Sequence, residues 1–231
     1  MPDARHDLQL LHEATERLLA AAGKLDDGAV AAPSLLPGWT RGHVLSHLAR
    51  NADALVNVLT GLPMYASAET RDADIEAGAG RGLAEQLADV RASAERLAAT
   101  ADALSPADWE SRCELRNGVT DVRARIPFRR LQEVELHHVD LGIGYGPAAL
   151  PAEFTGREVD FLAERFAGNG AVPALSLTDA AGRTWTTGSA AGEPLAVAGE
   201  AAALMGWLSG RTDGSDLSVA GGGALPVLPP L

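Results

Sequence analysis

Cysteine, lysine and aromatic residues are scarce in this 231-residue chain, and long hydrophobic runs are missing from it. Cys113 is the only cysteine, so no intramolecular disulfide can form, which suits a reducing cytoplasm. Lys24 is the only lysine, and the rest of the 19 basic residues are arginine. With abundant Ala and Gly, that bias points to a GC-rich coding sequence. No apolar run reaches about 18 residues, and the N-terminal "MPDARHDLQLLHEATERLL" is studded with charge where a signal peptide would be apolar. A cytoplasmic chain without a membrane span is therefore expected. Cations are also in deficit: 31 acidic residues give a formal charge of −12. Such a surface repels phosphate backbones and anionic lipid, which argues against nucleic-acid or membrane-surface partners. A small anionic substrate would need a local cation to hold it.

What remains is ordinary globular material, 46% hydrophobic and 22% charged, enough for one large or two modest domains. Residues 4 to 23 read as an amphipathic helix with Leu8, Leu11, Leu18, Leu19 and Ala22 on one side. After "DDGAVAAPSLLPGW", Thr40 can cap a second helix whose buried stripe is Val44, Leu48, Leu55 and Val58. "TGLPMYASAETRDADIEAGAG" is polar and broken, and a loop with at most a short helical turn is expected there. Leu83, Leu87, Val90, Ala94, Leu97, Ala101 and Leu104 then form the seam of a third helix. Ser105 and Pro106 open a short turn of helix, "CELRNGVTDV" carries an Asn-Gly turn, and Pro127 opens a fourth long helix ending at Gly142. Four long helices with mostly short links fit an antiparallel bundle. Beyond residue 150 the texture changes to a helix over 157 to 167 and short strands in "ALSLTDAAGRTWTTG", "PLAVAG" and "DLSVAG". A helix, "EAAALMGWLSGR", precedes the last strand. The expected fold is thus α plus α/β: a four-helix bundle over 1–150 and a smaller α/β domain over 151–231, in a monomer.

The fourth helix raises the functional question. "LQEVELHHVDLGIGY" sets Glu133 four residues before His137 and Glu135 three before His138, so either pair could share a cation from one helix face. Either pair could also be a solvated face. A histidine of the second helix, His43 or His47, could complete three N/O ligands, a set that suits zinc and leaves a coordination position open. Spacing alone does not choose among these.

"LPGWTRGHVLSHLARNADAL" together with "EVELHHVDLG" resembles the mycothiol-dependent maleylpyruvate isomerase family, whose N-terminal domain is a DinB-like four-helix bundle. The resemblance continues through "MYASAETRDADIEAGAGR" and the C-terminal "LMGWLSGR" and "PVLPPL". It implies a divalent metal, normally zinc, on His47, Glu133 and His137, with Asp140 as an outer acceptor and His43 as a packing or capping residue. It also implies that Arg211, in "GWLSGR", is catalytic and that the C-terminal domain contributes to an active-site cleft. An arginine ending a helix can equally serve the helix dipole.

The implied reaction, a step of aromatic catabolism through gentisate, converts maleylpyruvate to fumarylpyruvate. Rotation about the substrate's double bond needs that bond made single for a moment. A thiolate adding to the conjugated carbon does this, and its elimination after rotation returns the thiol with the trans product. The resemblance supplies the thiol as mycothiol, ionised by the metal, with Arg211 on a substrate carboxylate. A mycothiol S-transferase acting on other electrophiles and a non-catalytic metal or apolar-ligand binder are the alternatives. Cys113 sits in no nucleophile motif and is expected to be an incidental thiol.

Overall fold

The computed structural model describes residues 3–230 and divides into two compact units, Met1–Ile143 and Gly144–Leu231. The first unit opens with α1 (Ala4–Ala22) and the short α2 (Asp27–Ala31). Then come α3 (Arg41–Thr60), α4 (Ala68–Ala79), α5 (Leu83–Asp102) and the short α6 (Pro106–Glu110). A small antiparallel hairpin, β1 (Arg112–Glu114) with β2 (Thr120–Val122), precedes α7 (Ile126–Asp140). Asn117 takes the left-handed conformation in its turn (φ 61°), as the Asn-Gly pair requires.

The long helices pack where their stripes are apolar. α3 is the central one: Val44, Leu45, Leu48, Ala49, Ala52 and Leu55 are all buried, and it lies against α4, α5 and α7. α1 packs on α7 and α5. On α5 the buried set is Gln86, Val90, Ser93, Leu97 and Ala101, so the expected seam is rotated, with Leu83, Leu87 and Ala94 only half-buried. The reason is polar. Gln86 Nε2 donates to the carbonyls of Gly78 (2.8 Å) and Gly42 (3.3 Å), which draws that face of α5 toward α3 and α4.

Residues 68–79 correct the expected loop: they form a three-turn helix with only Ile75, Gly78 and Ala79 buried. So narrow a contact leaves no apolar periodicity to read. Ser67 starts α4 by accepting from Thr70 N (3.1 Å), and backbone proximity fixes its other end. A Cβ on Gly42 would come within 2.1 Å of the Ala79 carbonyl oxygen, and one on Gly78 within 2.2 Å of Ser46 Oγ. Two glycines therefore let α3 and α4 touch, and Arg71, in the first turn of α4, reaches His47 of α3.

Arg41 ties the start of α3 to the end of α7. Its Nε donates to the Leu141 carbonyl (2.7 Å) and its Nη1 to that of Ala29 (3.0 Å), satisfying carbonyls left open at helix ends. Further along, Arg130 Nη1 of α7 donates to Asn51 Oδ1 of α3 (2.8 Å) in the core. These contacts set the register of the two helices.

The second unit holds α8 (Ala152–Phe166), β3 (Leu175–Asp179), β4 (Thr184–Thr187), β5 (Leu195–Gly199), α9 (Ala201–Leu208) and β6 (Ser218–Val219). Its sheet runs β4-β3-β5-β6, with β3 and β5 parallel and the outer pairs antiparallel. Leu175, Leu177 and Val197 are buried beneath α8 and α9, which pack on each other and on the sheet. No helix among the described residues is long and apolar enough to cross a membrane.

Gly42→Ala should cost about 1–3 kcal/mol, because the added methyl meets backbone and forces the helices apart. Gly80→Ala, where nothing lies within 4 Å of the new methyl, is the control and should not destabilise. Urea denaturation of the two variants checks this; equal midpoints would mean the α3–α4 approach is not tight.

Candidate metal centre

α7 carries two polar pairs on two different faces. Glu135 is buried and pairs with Arg17 of α1 (2.5 Å). His138 is buried on the same side, where desolvation and the Arg17 charge push its pKa down to about 4 and keep the ring neutral. Glu133 and His137 face α3 instead. The competing pair is therefore occupied with helix packing.

Glu133 Oε2 lies 3.0 Å from His47 Nε2 and 3.2 Å from His137 Nε2. The two imidazoles meet edge to face with centroids 4.7 Å apart. Ligand atoms of His47, Glu133 and His137 all fall within 4.8 Å of one another, and among the described residues no other trio of His, Cys, Asp or Glu does so. His47 is buried and the other two are half-buried. Two imidazole nitrogens and a carboxylate oxygen, convergent and open on one side, are a donor set that zinc accepts.

Electrostatics distinguish the three. Burial opposes ionisation of Glu133, yet hydrogen bonds and positive charge from His137 and His47 outweigh it and hold the carboxyl well below the usual range. For His137 burial opposes the imidazolium, but hydrogen bonds to Asp140 and Glu133 prevail and raise its pKa. For His47 burial prevails and lowers it.

The imidazoles are also unequally prepared to ligate. His137 Nδ1 donates to Asp140 Oδ2 (2.8 Å), which fixes the tautomer and aims Nε2 at the centre. His47 Nδ1 instead accepts from Arg71 Nη2 (3.3 Å), so its ring proton sits on Nε2 and goes to Glu133. For His47 Nε2 to ligate, that proton must move to Nδ1 and Arg71 must draw back. Trp39 walls the site, with its ring 5.6 Å from that of His47.

His43 is a capping residue. Its Nδ1 lies 2.7 Å from Thr40 Oγ1 and accepts from Thr40 N (3.2 Å), closing a capping box at the start of α3. Its Nε2 faces Glu76 (3.1 Å). Arg211 follows α9 in the second unit, where Nη1 donates to the Ser209 carbonyl (2.8 Å). Sequence reasoning missed Trp39, Tyr65 and Arg71 as neighbours of the centre. The only local signals were Trp39 beside the Thr40 cap and Arg71 one turn inside α4.

The family model for the mycothiol maleylpyruvate isomerase N-terminal domain matches residues 11–142, the stretch that holds all three convergent side chains. No curated protein sequence matches the chain. Two crystal structures of the mycothiol-dependent maleylpyruvate isomerase, one of them a histidine-to-alanine mutant, superpose with a TM-score of 0.88. Their identities to this chain are 24% and 23%, over 99% of it and 97% of theirs. At that identity the likeness establishes the fold.

Two outcomes are expected for metal affinity, both readable by competition with a chromophoric chelator. Asp140→Ala frees the His137 ring and should weaken binding by about 10- to 100-fold. In the unaltered protein a metal ion must displace the proton on His137, whose pKa is raised, while Glu133 stays ionised. Affinity should therefore fall as pH drops, beginning above the ordinary histidine value of 6.5. A flat profile from pH 8 to 6 would mean that His137 is not a ligand.

Proposed function

Since the chain belongs to the family defined by the mycothiol maleylpyruvate isomerase N-terminal domain, we propose that it isomerises maleylpyruvate to fumarylpyruvate with mycothiol as the thiol. The observation that carries this reading is the convergence of His47, Glu133 and His137 inside the matched segment. We read the first unit as a DinB-like bundle of α1, α3, α5 and α7, supported by the packing of α3 and α1 each against α5 and α7.

His47, Glu133 and His137 would hold a divalent metal, zinc by the chemistry of the donors. Bound there, it supplies the positive charge that keeps an external thiol ionised near neutral pH. Glu133 contributes the only negative charge among the three, so a divalent ion held there would leave the centre with net positive charge. Asp140 holds His137 in position, and the Arg130–Asn51 pair one turn away keeps α3 and α7 in register around it. Trp39 limits water on the His47 side. Arg211 is assigned the substrate carboxylate, where a planar guanidinium can make two parallel hydrogen bonds and balance the enolate charge that develops during addition. No general base is assigned, because reversible addition can exchange its proton with water.

The chain's own thiol is poorly suited to the nucleophile's part. Burial, with the nearby Asp121 charge, pushes the Cys113 pKa up and leaves it protonated. An external thiol is the simpler source.

Purified protein should convert maleylpyruvate only when mycothiol is added, in catalytic amount and without net consumption. Cys113→Ser should keep most of that activity. Arg211→Ala should lower turnover by about 10- to 150-fold, with Arg211→Lys recovering only part. Thiol consumed mole for mole with substrate would identify an S-transferase instead. No thiol-dependent chemistry on any electrophile would leave a binding protein.

A further inference from the structure

A cavity in the first unit, about 590 Å³, lies between the turn joining α3 to α4 and the β1–β2 hairpin. Arg112, Arg116 and Arg123 all line it, together with Tyr65 and Cys113; Glu114 is its one acidic lining residue. Three guanidinium groups on one cavity are unusual in a chain of formal charge −12. Elsewhere in this unit arginines are matched to carboxylates at close range, as Arg50 is to Asp89 (2.7 Å), Arg96 to Asp53 (2.6 Å) and Arg129 to Asp121 (2.7 Å).

The cavity arginines are not so matched. Arg112 donates to a neutral group, Thr120 Oγ1 (2.8 Å). Arg116 has no carboxylate within 4 Å among the described residues. Arg123 reaches Asp108 only at 3.9 Å, and its buried Nε has no hydrogen-bond partner. Such a donor is costly to leave unmade and calls for an acceptor. The N-terminal end of α4, at Ser67 and Ala68, opens on the same space and adds positive potential. The opposite wall is apolar, formed by Val58, Leu62, Pro63 and Met64.

Two contacts connect the cavity wall to the candidate metal centre. The Tyr65 ring on that wall lies 5.9 Å from the Arg71 guanidinium carbon, and Arg71 Nη2 is the group 3.3 Å from His47 Nδ1. Tyr65 and Arg71 are thus the side chains that stand between the cavity arginines and His47.

We propose that this cavity is the carboxylate subsite of the first unit, binding one end of a short unsaturated dicarboxylate so that its carbon chain lies along the apolar wall toward the metal centre. This rests on the function proposed above for that centre, and it adds a substrate-recognising surface separate from Arg211. It selects against neutral electrophiles, which offer the guanidinium groups no charge to pair with.

Cys113 makes the subsite directly observable, since it lines the cavity and is the only thiol in the chain. The experiment follows the rate of Cys113 alkylation by iodoacetamide in the intact protein, by mass, with maleate as the probe. Maleate should slow labelling, whereas its dimethyl ester and inorganic phosphate should not. Arg116→Gln and Arg123→Gln should each raise the maleate concentration needed by about tenfold, the loss of one charge-assisted contact. Metal content should be unchanged in both. Arg116 is exposed and its side chain makes no hydrogen bond or ion pair among the described residues, so its variant keeps the test valid if Arg123→Gln folds poorly. Protection by the ester, equal protection by phosphate, or full protection by maleate in the Arg116 variant would each overturn the proposal. Failure of the isomerase reading is distinct: maleate would still protect, but maleylpyruvate would not be turned over.

Discussion

One carboxylate oxygen, Glu133 Oε2, lies within 3.2 Å of two imidazole nitrogens from two helices, and the rest of the first unit is arranged to keep it there. A shift of α7 against α3 by one residue would turn Glu133 away from His47. The Arg130–Asn51 bond prevents that from the core side, and Arg41 prevents it from the helix ends by holding the Leu141 and Ala29 carbonyls. Arg130 is fully buried, and desolvation lowers its pKa to about 10, still far above neutrality. It is therefore a fixed cation beneath the centre, and favours the ionised form of Glu133. Helix register and site charge are consequences of the same few side chains.

Charge placement carries the function further. The chain is strongly acidic, yet its cations are distributed with purpose. One group, including Arg17, Arg50 and Arg96, fastens helices to one another through carboxylates. Others are placed differently: Arg71 lies against His47, and Arg112, Arg116 and Arg123 line the cavity beside the β1–β2 hairpin.

The legible parts of the sequence were those with local periodicity. α3, α5 and α7 each carry a long apolar stripe and were visible, with boundaries within a few residues. α4 was not, because it buries three residues through glycine contacts rather than a stripe. The choice between the two Glu/His pairs of α7 was undecidable from spacing, since both satisfy helical geometry. The family resemblance favoured the first pair, and in the structure α1 takes the face of the second through Arg17 while α3 meets the first through His47. Thr40 was readable as a cap because capping is local, whereas the sequence left His43 open between packing, capping and ligation. Arg71 approaches His47 across 24 positions of sequence, and no short-range pattern announces such a contact.

The central claim is that these three side chains hold a metal that accepts an external thiol. X-ray absorption at the zinc edge of the loaded protein tests it most directly, recorded before and after mycothiol is added. The account predicts nitrogen and oxygen neighbours alone at first, then one sulfur at about 2.3 Å once the thiol is present. That sulfur should also appear in Cys113→Ser. Zinc retained unchanged in a variant lacking His47, Glu133 and His137, or a loaded centre that never acquires sulfur at saturating thiol, would contradict it.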